Sequence, residues 1–267
     1  MSGAPLISVE KLEVVYHRAI TAVQGISLSA REGQIVAILG TNGAGKSTTL
    51  RAISGFLGID DARVTDGSVI FKGKRIENRP PNETTRLGIA LVPERDKVFP
   101  NLTVAENLAA PLSSGRHDRR NSEEQVYQFF PRLADLRNRV AGLLSGGERQ
   151  MLALAGALVC RPELLLVDEL SLGLAPVVIE DLMARILQIR RELKLTIIMV
   201  EQSAATALSV ADYGYVLENG RVMLDGDGDR LLKHGDIQEF YLGQSTSSGR
   251  RSYRSVKQYR RSRRWYG

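Results

Sequence analysis

A glycine-rich segment, GTNGAGKST at residues 40–48, ends in a lysine followed by two hydroxyl side chains. It follows the apolar run IVAIL and precedes the helix-like TTLRAISGF, which is the context that the pattern G-x-x-x-x-G-K-[ST] requires. Glycines let backbone N–H groups curl around phosphates at a helix N-terminus, where the helix dipole favours anions. The residues predicted to surround a nucleotide phosphate chain are Gly40, Asn42, Gly43, Ala44, Gly45, Lys46, Ser47 and Thr48.

Within this segment, Lys46 is predicted to reach the β- and γ-phosphates, and the Ser47 hydroxyl is predicted to ligate Mg²⁺. The alternative interpretation is a glycine-rich turn without a ligand.

Two carboxylates follow a second apolar run, ELLLVDEL, in which Asp168 and Glu169 emerge at the carboxyl end of a predicted strand. Open α/β sheets bind their ligands at that edge. Asp168 is predicted to hold Mg²⁺, and Glu169 is predicted to orient or deprotonate an attacking water. The alternative is a polar exit from the strand, which is common where no phosphate loop lies in the same sheet.

A third apolar run, LTIIMV, ends in Glu201 and Gln202. If this strand lies beside LLLVDE, its polar end faces the same phosphates. The two side chains are then either a polar strand exit or part of the reacting edge.

The segment LLSGGERQMLALAGALVC combines a helix start with paired glycines. Ser145 and Glu148 form the capping-box pattern S-x-x-E before an apolar helix, and this alone explains both residues. Gly146 and Gly147 are harder to explain, because a glycine costs roughly 1 kcal/mol relative to alanine inside a helix. A phosphate approaching the bare backbone gives them a function.

The elements that must position these residues alternate along the chain. Apolar β-type runs alternate with helix-type stretches at residues 47–55, 148–160 and 176–193, which predicts a mostly parallel α/β core sheet. Short alternating strands before residue 73 predict an antiparallel β flank. The mostly helical pattern of residues 101–143 predicts a helical subdomain inserted into the α/β core. From residue 244 onward the chain is rich in Ser, Gly, Arg and Tyr, which predicts a linker and a disordered tail.

Composition restricts the class of protein. The 267 residues contain no apolar run long enough to span a membrane and no signal-peptide pattern at the start, so any membrane role is expected to be peripheral. The single cysteine, Cys160, excludes an intrachain disulfide and suits a reducing cytosol.

The net charge of +6 belongs to the end of the chain. Eight basic residues and no acidic ones follow Glu239, which leaves 28 basic residues against 30 acidic ones before it. The tail could lie on anionic lipid, bind nucleic acid, or remain a solvated disordered segment.

In their order and spacing, residues 40–48, 144–150 and 163–169 resemble the Walker A, signature and Walker B segments of ATP-binding cassette ATPases. The likeness covers roughly residues 6–243. Within that superfamily, PERDKVFPNLTVAENL, DELSLGLAP and VEQSAATALSVADYGYVLENG are similar to the ATPase subunits of branched-chain amino acid and urea-type importers.

The resemblance implies a P-loop NTPase cassette that binds ATP and Mg²⁺ and dimerises head to tail with a second cassette. Each composite site would join one phosphate loop to Ser145, Gly146 and Gly147 of the other cassette. The implied further partners are transmembrane permease subunits, which would dock near residues 98–108 at the cytoplasmic face of the membrane, and indirectly an extracytoplasmic solute-binding protein.

The resemblance also assigns roles to three single residues. Tyr16 matches the residue that stacks on adenine, although a strand-packing tyrosine explains it equally well. Glu94 occupies the position of a glutamine that senses Mg²⁺ and the transmembrane subunits. Gln202 stands where most cassettes have a histidine that contacts the γ-phosphate, so it is an uncharged candidate sensor.

Several residues depart from the family pattern. Leu170 replaces a proline, Ala175 an aspartate, Arg95 a glycine, Arg149 a glutamine and Gly156 an arginine. None of these changes removes Lys46, Asp168 or Glu169. The leading hypothesis is therefore an active ATPase that powers an importer.

Two alternatives remain at this point. One is a soluble cassette ATPase that acts on nucleic acid or ribosomes through its basic tail, although such relatives generally carry two cassettes or large insertions. The other is a regulatory cassette that binds ATP without efficient turnover.

Overall fold

The computed structural model of this chain describes residues 4–95, 97–111 and 119–233, together with Ile237. The predicted basic tail at residues 244–267, and with it the tail's expected contact with anionic lipid, lies outside the described residues.

A six-stranded sheet forms the centre of the molecule, in the order β10-β9-β3-β8-β7-β6. Strands β6, β7, β8, β3 and β9 run parallel to one another, and β10 pairs antiparallel with β9 at the edge. Its strands are β3 Ile35–Gly40, β6 Ile89–Val92, β7 Leu164–Asp168, β8 Thr196–Val200, β9 Tyr213–Glu218 and β10 Arg221–Asp227. The predicted mostly parallel sheet is confirmed.

A second, four-stranded sheet is antiparallel, in the order β2-β1-β4-β5. Its strands are β1 Ile7–Tyr16, β2 Ile20–Ala30, β4 Ala62–Phe71 and β5 Lys74–Arg75. The predicted antiparallel flank is confirmed.

Nine α-helices connect and cover these strands in the part of the chain that the structure describes. They are α1 Lys46–Ser54, α2 Pro81–Arg86, α3 Val104–Ala109, α4 Arg119–Phe129, α5 Pro131–Asp135, α6 Gly146–Val159, α7 Pro176–Leu193, α8 Ala204–Leu208 and α9 Gly228–Leu232. None of the helices in this part of the chain is both long enough and apolar enough to cross a membrane.

The central sheet separates two hydrophobic cores, and β3 shows how. Successive side chains of a strand point to opposite faces, so Ile35, Ala37 and Leu39 enter one core while Val36 and Ile38 enter the other. Because β3, β7 and β8 are buried along their whole length, their sequences are nearly continuous apolar runs.

The helices between residues 101 and 143 share a core with α6. Val104 and Leu108 of α3, together with Phe130, pack in the same cluster as Leu154 and Leu158 of α6. This helical segment is therefore continuous with the face of the central sheet that carries α6.

Candidate functional site

The glycine-rich segment forms a tight loop between β3 and α1. A Cβ on Gly40 would lie 2.5 Å from the carbonyl oxygen of Leu217, and one on Gly45 would lie 3.0 Å from that of Ala22. Gly45 precedes α1 with φ of 98° and no side chain caps the helix. The first N–H groups of α1 are therefore available to an anion.

Lys46 is held under this loop. Its side chain is only 4% exposed, and its Nζ donates to the carbonyl oxygens of Gly40, at 3.0 Å, and Thr41, at 3.3 Å. The same Nζ lies 3.6 Å from the Glu169 carboxylate. A cation held by backbone carbonyls is well placed to meet phosphate charge.

Ser47 and Asp168, the two predicted ligands of one metal ion, meet across the gap between α1 and β7. The Ser47 hydroxyl donates to Asp168 Oδ1 at 3.0 Å. Burial raises the pKa of Asp168 above its ordinary value, and the hydrogen bond from Ser47 opposes that shift.

This hydroxyl–carboxylate pair fits Mg²⁺, which prefers oxygen ligands and is usually held by one or two carboxylates together with substrate phosphates. The described residues contain no group of three or more His, Cys, Asp or Glu that could hold a metal ion alone. Phosphate oxygens and water are the usual further ligands of Mg²⁺.

Glu169 follows β7 directly and faces the phosphate loop. Its φ of 47° is left-handed, a conformation that costs about 1–2 kcal/mol in a residue with a Cβ. Its N–H donates to the carbonyl oxygen of Val200 at 2.9 Å. This bond ties the ends of β7 and β8 together.

A cleft of about 300 Å³ brings most of the predicted residues together. It is lined by Asn42, Gly43, Ala44, Gly45, Lys46, Ser47, Thr48, Glu94, Arg95 and Glu169. Glu94 therefore lies at the phosphate loop, where its carboxylate pairs with Arg95 at 3.2 Å.

Tyr16 ends β1 beside the same loop. Its hydroxyl lies 3.2 Å from the Thr48 hydroxyl, and its partly buried ring packs against the core between the two sheets. This position fits both interpretations from the sequence, a stacking surface beside the phosphates and a strand-packing tyrosine.

Glu201 and Gln202, which end the strand beside Asp168, differ in environment. Gln202 is exposed and lines a cleft of about 320 Å³ with Glu169 and Ser171. Glu201 is only 1% exposed and accepts hydrogen bonds from Ser171. Both residues line this cleft, and of the two only Gln202 is exposed.

Ser145, Gly146 and Gly147 lie away from the phosphate loop of their own chain. Ser145 caps α6, and the reciprocal bonds of the capping box with Glu148 are both present, which confirms that pattern. Ser145 and Gly146 are exposed. They line none of the cleft that holds Lys46.

The paired glycines have an additional explanation that the sequence does not give. A Cβ on Gly147 would lie 2.7 Å from Cγ1 of Val178 in α7, whereas one on Gly146 would lie 3.4 Å from Leu174. Gly147 therefore permits α6 and α7 to approach each other, whether or not a ligand comes near.

Lys97 is a cation that the sequence does not single out. It is half-buried, and its Nζ donates to Gln150 of α6 at 2.7 Å. Burial lowers its pKa, and nearby carboxylates, Glu201 first, oppose the shift. Lys97 thus links the segment after Glu94 to the helix that starts at the paired glycines.

Comparison with known proteins identifies the family. The sequence matches the ABC transporter family over residues 23–171, which is more than half of the chain. It is also 40% identical, over 239 residues, to the high-affinity branched-chain amino acid transport ATP-binding protein BraG of Pseudomonas aeruginosa, covering 89% of this chain and all of that protein. The chain belongs to the ABC transporter family.

Two further comparisons agree with this family. The probable branched-chain amino acid transport ATP-binding protein LivF of Archaeoglobus fulgidus is 40% identical over 219 residues, covering 82% of this chain and 91% of that protein. A crystal structure of the ADP conformation of an ATP-binding cassette of an ABC transporter has a TM-score of 0.77 and 26% identity. The alignment covers 91% of this chain and all of that one.

As a member of this family, the chain is an ABC-type ATPase, and its predicted P-loop cassette fold is confirmed. The relatives named here are transport proteins, which favours the importer hypothesis over the alternative of a nucleic-acid ATPase.

Proposed function

We propose that this chain is the ATP-hydrolysing subunit of an importer for branched-chain amino acids or a related small solute such as urea or an amide. The observation that carries this proposal is its similarity to BraG over the whole length of that protein. The site supports it, because Lys46, Ser47 and Glu169 line one cleft.

We assign a role in hydrolysis to each residue of this cleft. Lys46 and the N–H groups at the start of α1 hold the β- and γ-phosphates, and Ser47 with Asp168 holds Mg²⁺. When bound, Mg²⁺ neutralises charge that develops on the phosphate oxygens.

Glu169 accepts a proton from the water whose oxygen attacks the γ-phosphorus, while the bond from that phosphorus to ADP breaks. Gln202 donates its amide N–H to a γ-phosphate oxygen. Tyr16 stacks on the adenine base, and Glu94 senses the bound Mg²⁺ and the transmembrane subunits.

A second cassette completes the site in this proposal. Ser145 and Gly146 are exposed at the start of α6 but lie outside the cleft of their own chain. A partner in the head-to-tail arrangement brings the same residues to the γ-phosphate of the facing chain.

The membrane subunits would dock in an apolar groove that is lined in part by α6 and is separate from the phosphate-loop cleft. This groove of about 660 Å³ lies between α2, the segment after β6 and α6, and its lining includes Val98, Leu152, Ala153 and Ala157. It overlaps the predicted docking region at residues 98–108. Docking here would place the chain peripherally on the cytoplasmic face of the membrane.

Uptake measurements test the proposal. Cells that lack the gene should take up radiolabelled leucine, isoleucine and valine more slowly than the parent strain, and the wild-type gene should restore uptake where a Lys46→Ala gene does not. Urea and acetamide are the other two solutes to be tested. Unchanged uptake of all five solutes would contradict the proposed solute class.

A further inference from the structure

Glu201 is a buried carboxylate that the proposed hydrolysis does not use. It follows the apolar strand β8, and only 1% of its surface is exposed. Burial raises its pKa, while hydrogen bonds from Ser171 and from the backbone of Leu170 oppose that shift. A carboxylate in such a place needs these partners, because an unpaired buried charge is very costly.

Both oxygens of Glu201 bind one residue of another element. Oε1 accepts the Ser171 backbone N–H at 3.1 Å, and Oε2 accepts the Ser171 hydroxyl at 2.5 Å. The two residues are 30 positions apart in the sequence, so the contact joins the end of β8 to the segment that follows β7.

That segment, residues 169–175, is called here the Glu169 loop. It begins with Glu169 in its left-handed conformation and ends at Ala175, the residue before α7. Its other hydrogen bonds include short local ones, from Leu172 N–H to the Glu169 carbonyl at 3.4 Å and from Leu174 N–H to the Ser171 carbonyl at 3.2 Å. The Glu201 contact ties the middle of the loop to the neighbouring strand.

The Glu169 loop separates two clefts. On one side, Leu172 and Gly173 line the cleft that contains Glu169 and Gln202. On the other side, the same two residues line a cleft of about 430 Å³ with Arg95 and Gly146. The position of this loop therefore affects both the reacting edge and the surface near the paired glycines.

We propose that Glu201 is a positioning residue that fixes the Glu169 loop, and through it the carboxylate of Glu169. The inference deepens the proposed function and rests on it. Its physical basis is the two-point contact with Ser171, which restrains the loop two residues after the base. A small displacement of a catalytic group lowers turnover much more than it lowers substrate binding.

Steady-state ATP hydrolysis by the full chain, measured with its membrane subunits, tests this positioning role. Glu201→Ala should lower kcat by about ten- to hundredfold and leave KM for ATP nearly unchanged. Ser171→Ala should lower kcat by less, because the backbone N–H still reaches Glu201. The double variant should behave as Glu201→Ala does, since the two residues act as one unit.

Thr196→Val is the matched control for a lost buried polar group. Thr196 is fully buried at the opposite end of β8, where its hydroxyl accepts the Gly33 N–H. Thr196→Val should reduce stability and leave kcat unchanged. A kcat for Glu201→Ala within about twofold of this control, or additive effects of Glu201→Ala and Ser171→Ala, would overturn the proposal.

Hydrogen exchange separates this proposal from the proposed function, because it needs no turnover. In the wild-type chain the Ser171 amide should be protected, and in Glu201→Ala it should exchange about tenfold faster or more, while Thr196→Val leaves it protected. Equal exchange in all three proteins would overturn the positioning role. A wild-type chain that shows this pattern but does not hydrolyse ATP would overturn the proposed function alone.

Discussion

At the residue scale, Glu169 is the side chain on which turnover should depend most. Its carboxylate is 12% exposed and lies 3.6 Å from the Lys46 ammonium. In Glu169→Gln we expect ATP to bind nearly as in the wild type, because the amide keeps the shape of the side chain. Turnover should fall by about 100-fold or more, because an amide cannot accept the proton. Fluorescent-nucleotide binding and phosphate release measure the two quantities.

Glu163→Gln is the control for this change. Glu163 lies at the other end of β7, half exposed and paired with Lys72 at 2.8 Å. This substitution should leave turnover unchanged. Normal hydrolysis by Glu169→Gln would show that another group takes the proton.

Gln202 gives the second prediction at this scale. Gln202→Ala should lower turnover by about 100-fold, since a donor aimed at developing phosphate charge is lost. Gln188→Ala on α7 should leave turnover unchanged. Among the described residues, that amide bonds only to Glu192. An unaffected rate in Gln202→Ala would make this residue a simple polar strand exit.

The uncharged side chain of Gln202 also leads to a prediction about how turnover depends on pH. An amide does not titrate near neutrality, so the wild-type pH–rate profile should have no limb from this position. In Gln202→His, the pH–rate profile should gain a limb at about pH 6.5, the ordinary pKa of histidine.

At the element scale, the start of α6 meets the start of α7 at Gly147, where an added Cβ would lie 2.7 Å from Val178 Cγ1. Gly147→Ala should lower the free energy of unfolding by about 1–3 kcal/mol, because the new Cβ would overlap Val178. Val178→Ala in the same chain should recover part of this loss. Urea unfolding of the single and double variants measures the coupling.

Gly156, in the same helix, should respond with the opposite sign. A Cβ there meets no atom within 4 Å, so Gly156→Ala should raise the free energy of unfolding by up to about 1 kcal/mol. Equal effects of alanine at both positions would contradict the packing explanation for Gly147.

The capping box of α6 should make part of the stability depend on pH. Hydrogen bonds from Ser145, the backbone one first, lower the pKa of Glu148 in the folded chain below its ordinary value of 4.5. The ionised carboxylate therefore adds stability that is complete above that pH and is lost as the pH falls through the folded-state pKa.

We expect Glu148→Gln to be less stable than the wild type by about 0.5–1 kcal/mol at pH 7, and this difference should shrink on acidification towards pH 4 and below. Urea unfolding across that range measures it. A stability difference that stayed constant down to about pH 3 would contradict this explanation.

The elements themselves follow largely from sequence. The pattern predicts a helix over residues 176–193, and α7 has those bounds; the other two predicted helices begin one or two residues earlier in the structure. These agreements arise because apolar periodicity and capping residues are local signals.

Contacts between distant elements could not be predicted in this way. The half-burial of Lys97, the approach of Val178 to Gly147 and the contact of Glu201 with Ser171 each depend on tertiary packing. The phosphate loop, by contrast, carries its chemistry within nine consecutive residues, so its cleft could be anticipated from the sequence.

At the scale of the whole molecule, the apolar groove beside α6 should decide membrane attachment. Ala157→Glu places a charge on the groove lining, and docking of an apolar partner would then bury that charge without a counter-ion. Co-purification with membranes should fall by about tenfold or more, while ATP binding by the isolated chain stays normal.

Ala184→Glu provides the matched control, because Ala184 is exposed on α7 away from the groove lining. It should co-purify as the wild type does. Equal membrane recovery of both variants would place the docking surface elsewhere.

The contact between Tyr16 and Thr48 joins the end of β1, in the antiparallel sheet, to α1, which follows β3 of the central sheet. A nucleotide that touches both residues adds its binding free energy to the interface between the antiparallel sheet and the central sheet. That contribution reaches about 2.7 kcal/mol when the nucleotide concentration is 100 times Kd. A cell depleted of ATP should therefore degrade this chain faster, so energy supply would set the abundance of the protein as well as its rate.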